Sequence, residues 1–133
     1  MDLSWKLAET WQQELDDIIE RHRENGIILS ITPGLSSTKV RTAVFADIFL
    51  PAERRGWGEG GGAVRTVMEW ADRNNVVLRL TPEHRLAGMN KPRLERFWRG
   101  FGFRTASVKD QQGEYTETHI REPATKHMPA SAL

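Results

Sequence analysis

Leu3, Leu7, Trp11, Leu15, Ile18 and Ile19 recur at spacings of three and four, and Asn25-Gly26 follows as a stop signal. That period predicts an amphipathic helix to about Glu24, its acidic residues largely on the other face. Ile27 to Ile31 is a short β-rich run, and Pro33-Gly34 with Ser36-Ser37 supply turn chemistry. Lys39 to Leu50 reads as a longer strand, apolar on both faces, as expected of a central strand covered on both sides. Ala63 to Arg73 carries the helical stripe Val64, Val67, Met68 and Ala71, closed by Asn74-Asn75, and Val76 to Leu80 follows as a strand. Strand, helix, strand in that order predicts a parallel pair joined by a crossover.

Thr81 to Met89 reads as a loop, with Pro92 suited to the first turn of another helix. Leu94, Phe97, Trp98 and Phe101 form the buried face of that helix, and Gly102 ends it. Phe103–Lys109 and Tyr115–Arg121 flank Gln111 to Glu114 as a terminal hairpin. The expected whole is one mixed α/β domain over residues 1–122, followed by a flexible tail over 123–133.

The 133 residues, 38% hydrophobic and 28% charged, suit one globular core. No apolar run is long enough for a membrane span, and the first residues lack the features of a secretory signal. The absence of cysteine removes disulfides, thiolate metal sites and cysteine nucleophiles, and fits a reducing, cytoplasmic setting. No metal is expected. The net charge of +1 conceals a balance of −4 over residues 1–26 and +5 over residues 53–104. A basic block of that kind suits an anionic ligand.

Five glycines fall between Gly56 and Gly62, where a strand meets a helix. Such a turn aims several backbone N–H groups, and the positive end of a helix dipole, at one anion. A Walker A loop is excluded because Ala63-Val64, not Lys-Ser/Thr, follows Gly62. Gly56, Gly58 and Gly61 formally match a dinucleotide fingerprint, with Glu83 near the ribose-acid distance. Five residues nevertheless separate Leu50 from Gly56, and the further βα units are missing.

Arg55-Gly56-Trp57-Gly58-Glu59-Gly60 resembles the R-x-x-G-x-G/A motif of the GNAT N-acetyltransferase superfamily. Asn90 to Phe103, ending in Gly-Phe, resembles that family's next helix, and the likeness covers roughly residues 38–121. It implies a GNAT-like mixed central sheet flanked by helices, with a shortened N-terminal part. It also implies direct acetyl transfer from acetyl-CoA to an amine. The pantetheine arm would lie between splayed strands ending at Leu50 and Leu80. Backbone groups near Phe49 and Leu50 would bond its amides, Arg55, Gly56, Trp57, Gly58, Glu59, Gly60 and Gly61 would form the pyrophosphate loop, and Asn90 would flank the thiol.

Trp98 stands where many members of the family have a tyrosine that protonates the leaving thiolate, and an indole N–H is no acid at neutral pH. The one tyrosine, Tyr115, falls on the expected hairpin. Glu59 occupies a loop position that is usually apolar. Only one helix and two strands precede the loop, leaving an amine pocket that is open or completed by a second copy in a homodimer. Candidates for a general base are Asp47, Glu83 and His84, with Asp47 better suited to pairing with Arg79 or Arg41. Arg93, Arg96 and Arg99 recur on one helix side, but no groove-reading motif accompanies them, so nucleic acid is disfavoured. The other reading is a CoA-binding or protein-interaction module that lost its chemistry with the tyrosine.

Overall fold

The computed structural model describes residues 4–33, 41–51, 53, 58–82, 91–110 and 116–124, with side chains from residue 10 onward. In chain order the elements are α1 (Ser4–Glu24), β1 (Ile28–Pro33), β2 (Arg41–Phe49), α2 (Glu59–Asn74), β3 (Val76–Leu80), α3 (Lys91–Gly100), β4 (Arg104–Thr105) and β5 (His119–Arg121). The strands form one mixed sheet in the order β1-β2-β3-β5-β4. The expected strand–helix–strand crossover is present: β2 and β3 are parallel, and every other pairing is antiparallel. No described helix is long and apolar enough to cross a membrane.

The stripe of α1 is buried at Trp11, Leu15 and Ile18, and that of α2 at Val64, Val67, Met68 and Ala71. α1 packs on β1 and α2, and α2 packs on β3. Trp70 joins the two helices, donating its indole N–H to the Trp11 carbonyl at 3.0 Å with the rings stacked at 5.8 Å. Above them, the Arg41 guanidinium lies 5.8 Å from the Trp11 ring and donates to the Asn74 carbonyl at 2.9 Å. Glu14 receives Arg73 and, at 3.0 Å, Asn74, and the Arg73 hydrogen bond holds its carboxyl below the usual carboxylate range.

A second buried node ties the C-terminal half together. Arg121 on β5 clamps Asp72 of α2 with two hydrogen bonds, at 2.9 and 3.1 Å, and donates to the Phe101 carbonyl at 2.6 Å. Asp72 also accepts the Ala124 N–H at 2.9 Å, and Pro123 is fully buried. The expected tail therefore does not begin at Pro123: these two residues are packed and bonded, while 125–133 lie outside the described residues.

The terminal hairpin is shorter than its sequence suggests, with two residues in β4 and three in β5. The Ser107–Asp110 turn intervenes. Its Asp110 carboxylate accepts the Ser107 N–H and hydroxyl, both at 2.8 Å, and takes Arg104 at the same distance. Those groups, Arg104 first, hold the Asp110 carboxyl well below the usual carboxylate range.

Candidate functional site

The parallel pairing runs only from Arg41 opposite Val76 to Val44 opposite Arg79. β2 continues to Phe49, so its last five residues extend past the paired stretch. The ladder on the other side of β2 is irregular over this stretch. Ser30 of β1 faces Asp47 while Ile31 faces Phe45, which makes Ala46 an extra residue, a β-bulge. A bulge bends its strand and raises the local twist, and β3 itself ends at Leu80, one residue past the last parallel pair. The bulge also breaks the expected two-sided burial. Ala43 and Phe45 are buried ahead of it, but Ala46 and Asp47 are exposed and Phe49 is 51% exposed.

α2 begins beside this unpaired end of β2. A Cβ on Gly60 would lie 3.3 Å from Leu50 Cδ1, so the expected site residues Leu50 and Gly60 are neighbours. Gly58 caps the helix in the left-handed conformation, φ 82°, without a capping side chain. The first α-helical hydrogen bond runs from Gly62 N–H to the Gly58 carbonyl at 3.0 Å. The N–H groups of Gly60 and Gly61 lie in the first turn, at the positive end of the dipole. Glu59, half-buried at the first helical position, is also where the dipole favours a carboxylate.

The glycines differ in what explains them. At Gly60 a Cβ would crowd the Leu50 methyl, which would have to give by a few tenths of an ångström. Around a Cβ on Gly61 or Gly62 nothing lies within 4 Å among the described residues, and neither has a positive φ. A glycine in a helix costs roughly 0.5–1 kcal/mol relative to alanine. Neither packing nor backbone conformation within the described chain requires these two.

The α3 side is set by Trp98, 2% exposed, whose ring meets Phe45 edge-on at 5.4 Å, at the residue just before the bulge. Phe97 and Phe103 contact the same indole at 5.0 and 5.5 Å. Its Nε1 is buried without a hydrogen-bond partner among the described residues. The Asp47 carboxylate accepts the N–H of Ile48 at 2.7 Å. Neither expected arginine partner reaches it through a described hydrogen bond. Arg41 bonds the Asn74 carbonyl, and Arg79 bonds that of Asp110 at 2.7 Å. Arg55, Gly56, Trp57, Glu83, His84, Asn90 and Tyr115 lie outside the described residues.

One constellation went unread in the sequence. Thr118 Oγ1 lies 2.8 Å from His119 Nδ1, and His119 Nε2 lies 2.9 Å from Glu95 Oε2 on α3. His119 is opposite Leu80, the last residue of β3, and the Thr118 N–H donates to Thr81 Oγ1 at 3.3 Å. The group therefore sits at the carboxyl end of β3, the end at which open α/β sheets bind ligands. His119 and Thr118 fell within the expected second hairpin strand, but nothing in local pattern links either to Glu95, 24 residues earlier. No protein-family model matches the chain, and comparison with curated proteins gives no match.

Proposed function

We propose that this chain is an acetyl-CoA-dependent N-acetyltransferase of GNAT type, moving an acetyl group directly to an amine of a small molecule or a protein. One observation carries the reading. β2 runs five residues past its parallel pairing with β3, through the Ala46 bulge, and the glycine-rich start of α2 stands against that unpaired end. An extended arm laid along that end of β2 would meet the main-chain groups of Phe49 and Leu50, and its pyrophosphate would meet the N–H groups of Gly60 and Gly61. No described residue lies within 4 Å of a Cβ on Gly61, and phosphate oxygens need a backbone without a side chain.

The transfer itself asks little of the protein: the amine attacks the thioester, the C–N bond forms, and the thiolate leaves with the C–S electron pair. Positioning the two reactants and accepting the amine proton are the tasks left to side chains. Trp98, buried among aromatic rings, donates no proton to the thiolate, so protonation comes from solvent. A second reading, a CoA-binding module without turnover, is favoured by that same residue. An assay of thiol release from acetyl-CoA over a panel of primary amines separates the two. Amine-dependent release supports the transferase, and saturable binding without release by any amine identifies the module.

A further inference from the structure

We propose that Thr118, His119 and Glu95 form the proton-accepting relay of the transfer reaction, with Thr118 Oγ1 as the group that meets the acceptor amine. The inference rests on the transferase reading above. Three observations favour it. Thr118 is exposed, His119 is 5% exposed, and Glu95 is partly exposed, so the chain runs from solvent into the protein. Both contacts are at full hydrogen-bond distance, 2.8 and 2.9 Å. The group lies at the carboxyl end of β3, the same end of the sheet as the unpaired stretch of its parallel neighbour β2.

The polarity follows from the partners. An ionised Glu95 only accepts, so His119 donates from Nε2, and neutral imidazole then has a lone pair at Nδ1 that accepts the Thr118 hydroxyl. As the amine attacks, its proton passes to Thr118 Oγ1 and the threonine proton passes to His119 Nδ1. The resulting imidazolium is stabilised by Glu95, and the proton returns to solvent by the reverse path. Thr118 ends as it began. The cross-strand neighbours of His119, Leu80 and Thr105, carry no charge. The other ionisable groups near it along the chain are Glu117, half-buried, and Arg121, which is committed to Asp72.

Two measurements test the relay, one of them independent of turnover. Long-range proton–nitrogen NMR on the free protein should show neutral His119 as the Nε2–H tautomer, with the Nδ1 signal moved by Thr118→Val. In the amine assay, His119→Gln should lower kcat at neutral pH by roughly 100-fold or more. The KM for acetyl-CoA should stay within about twofold. The loss should narrow as rising pH deprotonates the amine without help. Thr118→Val, at an exposed site, should act in the same direction, and Thr118→Ser should recover most of the lost rate.

An Nδ1–H tautomer overturns the relay. So does a folded His119→Gln or Thr118→Val enzyme with the wild-type rate and pH profile, and in that case the transferase reading stands. Failure of the wild-type protein to bind acetyl-CoA removes both.

Discussion

Phe103 donates its N–H to the Trp98 carbonyl at 3.2 Å and lays its ring edge-on against the Trp98 indole, 5.5 Å between centroids. Gly102, φ 96°, donates to the Arg99 carbonyl at 2.9 Å. Together these make a Schellman cap, in which the residue after the left-handed glycine folds back on the last helical turn. The Gly-Phe ending of α3 thus has a complete structural cause. Gly102→Ala should lower unfolding free energy by about 1–2 kcal/mol, the cost of a left-handed alanine, while leaving acetyl-CoA affinity unchanged. Denaturant titration and calorimetric binding on the same samples check both halves.

The acid limb of stability should depend on Asp110. Its folded-state pKa is depressed by Arg104 and the Ser107 donors, so its contribution is present above the unfolded value of about 3.9 and is lost as pH falls below it. Asp110→Asn should lower the urea midpoint at pH 7, and the gap to wild type should shrink below about pH 4. A gap independent of pH would show that the carboxylate charge contributes nothing.

Much of the fold was legible because it rests on local periodicity. The buried stripes of α1 and α2, the strand Val76–Leu80 and the parallel β2–β3 pair are where the apolar spacing puts them. The Ala46 bulge was not legible, because it depends on the register of β1 against β2 and not on the residues of β2 alone. The Arg121–Asp72 clamp and the Glu95–His119 contact join residues 49 and 24 positions apart, and no local pattern encodes such pairs. Within the candidate site, the glycines were legible as a class. That Gly60 lies against Leu50 while Gly61 meets no described residue within 4 Å required the three-dimensional packing.

Trp98→Tyr should cost stability, because a smaller ring would replace an indole packed against Phe45, Phe97 and Phe103. Large-to-small changes in such sites cost about 1–3 kcal/mol when the replacement refills part of the space. The unpartnered Nε1 means no hydrogen bond is lost with it. Turnover in the amine assay should be preserved or raised, since the phenol adds an acid where none stands. A folded variant with turnover far below wild type would contradict this.

Gly61→Asp separates the ligand's needs from the fold's. The new side chain meets nothing within 4 Å among the described residues, and a carboxylate in the first helical turn suits the dipole. Thermal stability should therefore change little. The carboxylate would fill and repel the place assigned to the pyrophosphate, so acetyl-CoA affinity should fall about 100-fold, or about 3 kcal/mol.

The most direct test of the central claim is isothermal titration of the wild-type protein with acetyl-CoA, with Gly61→Asp as the paired control. Saturable one-to-one binding to the wild type, with a large loss in the folded variant, is the predicted result. No saturable binding by the folded wild-type protein, or equal affinity in Gly61→Asp, would contradict the assignment of the β2 end and the α2 start to acetyl-CoA.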